Sequence, residues 1–352
     1  MVSSINIAGR QIGLGQPCFI IAEAGVNHNG DVRLARQLVD VAVSAGADAV
    51  KFQTFKADRL ATPRAPKASY QTETTGKGES QLQMLRRLEL SPQIHKELMN
   101  YCLRKNILFM SSPFDEDSAD LLAELGVPAF KIPSGEITNL PLLSHVARKG
   151  KPLILSTGMS VLAEVETAVC AITETGNRSL VLLHCVSNYP ASPSDANLRA
   201  MDTMATAFNM PVGYSDHTLG IEVAIAAVAM GACVIEKHLT VDRSSPGPDH
   251  RASLEPNEFS GLVRGIRKVE QALGSGRKEP AASEAAVAAV ARKSLVAART
   301  IPAGTKLTED LIAVKRPGTG LPPAMRAQLV GREVKREVRV GELFRLSDFE
   351  EK

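Results

Sequence analysis

Two histidines occupy matching places at the ends of two consecutive apolar runs. His217 follows the run 211–214 and His238 follows the run 232–235, with a helix-like apolar segment, Ile221–Met230, between them. A strand–helix–strand unit brings the ends of its two parallel strands to the same edge of a sheet. Two imidazoles at that edge can share one divalent metal ion. Hydrogen-bonded structural histidines are the alternative for either residue alone, and the matched placement favours the metal site.

Two lysines also lie at the ends of strand-like sequence. Lys51 and Lys131 each follow an apolar residue, which favours side chains that point into a core over surface cations. Buried lysines need an anionic partner. The acidic residues at neighbouring strand ends are Glu23, Glu136 and Glu236. Because these are few, we expect the lysines to bind an anionic ligand.

Serines at strand-to-helix turns indicate the same class of ligand. Ser134, Ser156 and Ser215 stand where hydroxyls and free backbone N–H groups bind phosphate or carboxylate. Each serine alone is equally a turn or N-cap residue, so the anion pocket depends on their convergence. Asp249 follows the last predicted strand, where its carboxylate could accept a hydrogen bond from a sugar hydroxyl or simply form part of a turn.

Eight strand-plus-helix units in the sequence would position these residues. Short apolar runs that alternate with helices of this length predict a parallel sheet. The count of eight favours a closed (β/α)₈ TIM barrel over an open doubly wound sheet. No Gly-x-Gly-x-x-Gly turn follows the first strand, which argues further against a dinucleotide-binding fold. In such a barrel the carboxyl ends of the strands form the active site, so the polar residues above converge on one mouth.

The character of the sequence changes after residue 273. We predict a barrel with an N-terminal hairpin over residues 1–275, a linker with helical character over 276–292, and a small β-rich domain over 293–352. Within the barrel, residues 56–80 are polar and rich in Thr, Lys and Gly. Such a long excursion above a sheet is typical of a lid or binding loop.

Composition excludes several classes of function. The chain has 352 residues and a net charge of +3, with no basic block suited to nucleic acid and no apolar run of membrane-spanning length. Met1–Arg10 lacks the pattern of a signal peptide. The five cysteines are scattered, which indicates reduced thiols in a cytoplasmic protein and argues against a disulfide framework or a zinc site.

Eight motifs, in chain order, resemble those of the sialic acid synthase family. They are Ala22–Gly30, Val50–Gln53, Lys131–Glu136, Leu155–Met159, His184–Pro190, Tyr214–Leu219, Glu236–His238 and Pro246–Asp249. The tail, with Ile301–Gly304 and Val314–Gly318, is similar to the antifreeze-like (SAF) domain appended to these synthases. The resemblance therefore covers nearly the whole chain.

The resemblance implies an enzyme that condenses phosphoenolpyruvate with an N-acyl amino sugar, and it implies a role for each matching residue. A divalent metal, Mn²⁺ or alternatively Mg²⁺ or Co²⁺, would bind His217 and His238. Phosphoenolpyruvate would be held by Lys51, Ser112, Lys131, Ser134, Ser156, Ser187 and Ser215. The open-chain sugar would be held by Glu23, Gln53, Tyr189 and Asp249. Arg316 would reach the sugar's N-acyl group from the antifreeze-like domain of the other subunit in a domain-swapped homodimer. Glu23, Lys51 and Lys131 would be the catalytic residues.

The implied reaction gives a nine-carbon 2-keto sugar acid and phosphate, with cleavage of the C–O bond of phosphoenolpyruvate. The first expectation is an N-acetylneuraminate synthase that uses N-acetylmannosamine. The alternative is an N,N'-diacetyllegionaminate or pseudaminate synthase that uses a diacetamido-trideoxyhexose. A barrel without catalysis, which binds carbohydrate or ice, is a second alternative. Ser112 and Ser187 stand where some relatives have Thr and Asn, so a hydroxyl replaces an amide at the second position.

Overall fold

The computed structural model describes residues 4–76 and 78–349. Residues 1–3 and 350–352 of the predicted domains, and position 77 of the predicted excursion, lie outside the described residues. The chain divides into two compact units, Met1–Gly274 and Ser275–Lys352.

A parallel β-barrel makes up the centre of the first unit. It follows an antiparallel hairpin of β1 (Ile5–Ile7) and β2 (Arg10–Ile12). Its eight strands, counted among the described residues, are β3 (Phe19–Gly25), β4 (Ala49–Thr54), β5 (Leu108–Pro113), β6 (Phe130–Ile132), β7 (Leu153–Ser156), β8 (Leu180–Cys185), β9 (Val212–Asp216) and β10 (Val234–His238). The strand order is β5-β4-β3-β10-β9-β8-β7-β6, and β5 and β6 lie side by side, so the barrel is nearly closed. The predicted (β/α)₈ architecture is confirmed.

Helices connect the strands and cover the outside of the barrel. They are α1 (Val32–Ala45), α2 (Ala57–Leu60), α3 (Ser69–Thr75), α4 (Gln81–Leu88), α5 (Pro92–Arg104), α6 (Glu116–Leu125), α7 (Leu140–Ala147), α8 (Leu162–Thr173), α9 (Ala200–Phe208), α10 (Glu222–Ala229) and α11 (Pro256–Leu273). The predicted excursion after β4 contains the two short helices α2 and α3 and leads into α4.

Local signals in the sequence set the ends of several helices. The Asp31 carboxylate accepts from the backbone N–H of Arg33 at 2.7 Å and begins α1. Gly46 ends the same helix in the left-handed conformation, with φ of 82°. Ser91 caps α5, whose first residue is Pro92. Asp31, Gly46 and Ser91 are residue types that signal helix ends in the sequence itself.

The strands extend beyond the carboxyl ends of the apolar segments that predict them. Glu23 lies within β3, Ser215 within β9 and His238 at the end of β10. The ladder continues through these polar positions because Glu23 pairs with both His238 and Lys51 in parallel register. An apolar run therefore marks only the part of each strand that lies below the mouth of the barrel.

Alternation along the strands separates two apolar layers. One set of side chains packs between the strands and the helices, and includes Ile20, Val50 and Ile235. The other fills the barrel interior below the mouth, where Ile21 packs in one cluster with residues of the N-terminal hairpin. Inward-facing positions repeat every second residue, so the next inward positions along each strand face the mouth.

The second unit is small and β-rich. It contains α12 (Ala285–Ala291), the antiparallel pair β11 (Ser294–Ala297) and β12 (Ile312–Lys315), and α13 (Arg326–Leu329). Its own apolar core includes Leu295, Phe344 and Phe349, all with 0–1% exposure. An independent core of this kind explains why the sequence changes character after the barrel.

Candidate active site

One cavity of about 500 Å³ opens at the carboxyl ends of the barrel strands. It is lined by thirteen residues that the sequence singles out, namely Glu23, Lys51, Gln53, Ser112, Lys131, Ser134, Ser156, Ser187, Tyr189, Ser215, His217, His238 and Asp249. Arg316 belongs to the second unit, where its side chain is exposed and its Nε donates to the carbonyl oxygen of Ala291 at 3.1 Å. The barrel thus brings together every candidate that the first unit contributes.

A buried network of two lysines and two carboxylates forms the base of the cavity. Lys51 Nζ lies 2.7 Å from Glu23 Oε2 and 3.6 Å from Glu236 Oε2. Lys131 Nζ lies 3.4 Å from Glu236 Oε1. All four side chains are at most 6% exposed. Glu23 and Glu236 thus supply counter-charges from within the protein, so charge balance alone does not require an anionic ligand on the lysines.

Glu236 is the residue whose importance the sequence does not reveal. It was one of three acidic residues near the lysines, and only the register of β10 against β3 and β9 places it between them. Ser215 Oγ also donates to Glu236 Oε1, at 2.9 Å. The signal in the sequence was its spacing of two residues before His238, which puts both side chains on the inward face of β10.

The environment moves the pKa values of the two carboxyl groups in opposite directions. Burial raises the pKa of Glu23 above its ordinary value, an effect that Lys51 only partly offsets. Burial would also raise the pKa of Glu236, but Lys131 and Lys51 outweigh it and hold that pKa below the ordinary value. Glu236 is therefore the ionised partner of the lysines, whereas Glu23 can carry a proton near neutral pH.

The pKa values of the two lysines also shift in opposite directions. Burial opposes the charge on Lys51, but Glu23 and Glu236 together raise its pKa above the ordinary value. Burial dominates at Lys131 and lowers its pKa, with Glu236 opposing. Lys51 is thus the more firmly held cation, and a second negative charge near Lys131 would favour its protonated form.

The serines of the cavity are in different states of hydrogen bonding. Lys51 Nζ donates to Ser112 Oγ at 3.1 Å, and Ser134 Oγ accepts from the backbone N–H of Gly158 at 3.0 Å. Ser156 Oγ is buried and makes no hydrogen bond with the described residues. A buried hydroxyl without a partner is costly unless a ligand or water satisfies it. Ser156 therefore has a hydrogen bond to offer to a ligand.

The two histidines lie next to each other, as their strand positions predict. Their ring centroids are 5.5 Å apart, and the Tyr189 ring packs against both. His217 Nδ1 is 2.7 Å from the carbonyl oxygen of Val186, to which it donates as the neutral ring, leaving Nε2 as the acceptor. Burial lowers the pKa of His217 to about 4 and that of His238 further below its ordinary value. Both rings are therefore neutral and have a lone pair for a ligand.

These properties fit a divalent metal ion. His238 Nδ1 is buried and has no hydrogen-bond partner among the described residues, and neutral imidazole nitrogens bind divalent transition-metal ions. The described residues contain no group of three or more His, Cys, Asp or Glu side chains set to hold a metal. An ion held by His217 and His238 would therefore keep positions open for oxygen atoms of substrate or water.

The excursion after β4 reaches the mouth of the cavity. Tyr70 of α3 stacks on Tyr189, with ring centroids 5.0 Å apart. On another side, Asp249 is buried, and burial raises the pKa of its carboxyl group to about 6. Its loop is fixed by Ser253 Oγ, which donates to the Asp249 carbonyl oxygen at 2.7 Å. The sequence predicts an excursion above the sheet but not that Tyr70 lies over the mouth.

The fold and the cavity define a class of protein, the (β/α)₈-barrel enzymes that act at the carboxyl ends of the strands. Comparison with known proteins makes the assignment specific. Residues 38–278 match the NeuB family, and residues 292–350 match the SAF domain. The chain belongs to the NeuB family and carries a C-terminal SAF domain, so the resemblance seen in the motifs is confirmed.

Two relatives and one solved structure show the breadth of the family. The chain is 50% identical to the N,N'-diacetyllegionaminic acid synthase of Legionella pneumophila over 333 residues, which are 94% of each protein. It is 41% identical to the N-acetylneuraminate-9-phosphate synthase of Mus musculus, covering 93% of this chain and 91% of that protein. The crystal structure of N-acetylneuraminic acid synthetase from Leptospira borgpetersenii has a TM-score of 0.72 at 39% identity, covering 81% of this chain and 94% of that one.

Membership of this family makes the chain an enzyme that uses phosphoenolpyruvate to form a carbon–carbon bond. The alternative of a barrel without catalysis is therefore wrong. No helix among the described residues combines the length and apolar character needed to cross a bilayer.

Proposed function

We propose that the enzyme is an N,N'-diacetyllegionaminate synthase, which condenses phosphoenolpyruvate with an open-chain diacetamido-trideoxyhexose and water. The observation that carries the choice of sugar is the 50% identity to a synthase of that name across 94% of both chains. Relatives named for N-acetylneuraminate-9-phosphate are 41% identical or less. The first expectation, an N-acetylneuraminate synthase using N-acetylmannosamine, thus becomes the second candidate.

The base of the cavity supports binding of phosphoenolpyruvate. Lys51, Lys131 and the free hydroxyl of Ser156 offer donors to its phosphate and carboxylate. The other serines of the cavity, Ser112, Ser134, Ser187 and Ser215, lie around the same base. Glu236 holds the two ammonium groups in place before the substrate arrives, so little reorganisation accompanies binding.

Condensation then requires a proton at the aldehyde oxygen and water at the phosphate-bearing carbon. The methylene carbon of phosphoenolpyruvate attacks the aldehyde carbon, water adds to the resulting cation, and phosphate leaves with its bridging oxygen. Glu23, whose pKa is raised, delivers the proton to the aldehyde oxygen and can take one from the attacking water. When bound at His217 and His238, a Mn²⁺, Mg²⁺ or Co²⁺ ion supplies polarisation of that oxygen.

The proposed sugar contacts are Glu23 and other polar residues that line the same cavity. Gln53 Nε2 lies 3.5 Å from Glu23 Oε1, so amide and carboxyl groups can bind neighbouring hydroxyls of one sugar. Tyr189 and Asp249 complete this set. We further propose that Arg316, from the SAF domain of a partner subunit, binds the N-acyl group, which makes the working unit a domain-swapped homodimer. All five cysteines are free thiols, which supports a cytoplasmic location.

Phosphate release from phosphoenolpyruvate tests the reaction. Release should require an added amino sugar, be fastest with the diacetamido-trideoxyhexose, stop with excess chelator and return with Mn²⁺. Release that is independent of any sugar would refute the synthase. Fastest release with N-acetylmannosamine would favour the second candidate, and full activity in chelator would refute the metal site.

A further inference from the structure

The cavity has two halves of different chemistry. Its base carries the lysines, carboxylates and histidines described above, whereas the half beneath the inserted helices is apolar. We call this apolar half the lid wall; its lining residues are Val26, Leu60, Met84, Leu85, Leu88 and Phe114. Apart from Leu60, Leu85 and Phe114, which are half-buried, these side chains are at most 6% exposed. They form one cluster with Phe55, separate from the main core of the barrel.

Hydrogen bonds and ion pairs join the two helices that carry most of the lid wall. Its leucines and methionine lie on α2 and α4, whose outer surfaces are joined by an ion pair between Arg86 and Asp58 at 2.5 Å. Glu89 also binds both Lys56 Nζ, at 2.7 Å, and the backbone N–H of Ala57, at 2.9 Å. These contacts fix α2 against the end of α4. The apolar surface that faces the cavity is therefore preorganised.

The reacting end of the sugar determines which part of it meets the lid wall. The aldehyde must lie beside Glu23 and the histidines at the base, because the condensation takes place there. The terminal carbon of an open-chain hexose is then the part furthest from the base. Among the described lining residues, the cations are Lys51 and Lys131, both at the base. A phosphate or hydroxyl at the terminal carbon would therefore face apolar side chains and lose water without replacement.

We propose that the lid wall, through Leu60, Met84 and Leu85, selects acceptor sugars whose terminal carbon is a methyl group. This inference rests on the proposed function, and it names the part of the site that separates deoxygenated from hydroxylated or phosphorylated acceptors. Gln71 and Gln81 also line the cavity, outside the lid wall, and their amide groups suit an acetamido substituent. An apolar surface discriminates against one added hydroxyl by about 10- to 100-fold in kcat/KM.

The test uses two acceptors that differ only at the terminal carbon. One is the diacetamido-trideoxyhexose, and the other is its counterpart with a terminal hydroxyl. The native enzyme should prefer the first by about tenfold or more in kcat/KM. Leu85→Asn on α4 and Leu60→Asn on α2 should each reduce that preference about tenfold while the KM for phosphoenolpyruvate stays the same. Leu103→Asn changes a leucine of α5 that is 77% exposed and should leave the preference intact.

The outcomes separate the two proposals. If the native enzyme releases phosphate with neither acceptor nor with N-acetylmannosamine, the proposed function fails. If it uses both acceptors equally well, the synthase stands and the lid wall has no selective role. An unchanged preference in both variants would refute the proposal. Loss of both activities in both folded variants would also refute it, because selection by the lid wall predicts continued turnover of the hydroxylated sugar.

Discussion

The buried pair between Lys51 and Glu23 allows a direct test of the base of the cavity. Lys51→Met keeps a long unbranched side chain but removes the charge that lies 2.7 Å from Glu23 Oε2. Glu23 then remains in a site where it is 2% exposed, without its nearest cation. The matched control is Lys105→Met, because Lys105 Nζ also lies 2.7 Å from a carboxylate oxygen, that of Asp40, but at the surface.

The expected magnitude follows from distance and burial. At 2.7 Å and an effective dielectric constant of about 20, the attraction between unit charges is about 6 kcal/mol. Desolvation of both groups in the native protein offsets part of it, and removing one partner of a buried pair costs about 3–5 kcal/mol. Since burial raises the pKa of Glu23 to about 7, we expect Lys51→Met to lower the free energy of unfolding by about 3–5 kcal/mol at about pH 8, where Glu23 is mostly ionised in the native enzyme. The exposed control should change little, because water screens its pair.

Intrinsic tyrosine fluorescence during urea unfolding provides the measurement. The chain has no tryptophan, and its four tyrosines, Tyr70, Tyr101, Tyr189 and Tyr214, all lie in the first unit. The signal therefore reports unfolding of the barrel without interference from the SAF domain. The midpoint and slope of the transition give the free energy of unfolding for each variant.

The same experiment at two pH values tests the role of Glu23. Without Lys51, the pKa of Glu23 should rise further above its ordinary value, since its nearest cation is gone. Between the unfolded and folded pKa values the native state then holds more protons, so stability falls as pH rises. Lys51→Met should be less damaging at about pH 5 than at about pH 8. An equal loss at both values, or a loss no larger than that of Lys105→Met, would refute the buried network.

Three further predictions concern ligand binding. Ser156→Ala should raise the KM for phosphoenolpyruvate about five- to tenfold, which corresponds to the loss of one hydrogen bond. The control Ser144→Ala on α7 should leave that KM unchanged, and equal KM values for the two variants would contradict the anion site. The KM for the sugar should fall as pH rises through about 6, where Asp249 ionises, and Asp249→Asn should abolish that pH dependence. The same pH dependence in the variant would contradict a sugar contact by Asp249. Arg316→Ala should raise the sugar's KM without changing barrel stability, and unchanged kinetics would exclude a role for the SAF domain.

The barrel itself could be predicted because its signals are local. Apolar runs marked the strands, Asp31 and Ser91 marked helix starts, and Gly46 marked a helix end. The candidate residues of the cavity could also be predicted, because inward-facing residues at the carboxyl ends of barrel strands line the mouth. Those inferences need only the position of each residue along its own strand.

The pairing within the site could not be predicted, because it depends on register between strands that are distant in sequence. Glu236 meets Lys51 only because β10 pairs with β3 and β3 with β4. The lid wall could not be predicted from the sequence for a different reason. Leu60 stands in polar sequence and Leu85 is one of several apolar residues of α4, and only the packing of α2 against α4 brings them together.

The opposite pKa shifts of the two carboxyl groups explain how one site can both hold an anion and supply a proton. If both Glu23 and Glu236 were ionised, they would cancel the charges of Lys51 and Lys131, and the base could not attract phosphoenolpyruvate. Because burial raises the pKa of Glu23 to about 7, a large fraction of that carboxyl carries a proton near neutral pH, and the four groups then keep a net positive charge. The same proton is then available beside the aldehyde, where oxygen gains negative charge during condensation. In the proposed reaction, attraction of phosphoenolpyruvate and activation of the aldehyde would therefore both depend on the protonated fraction of Glu23.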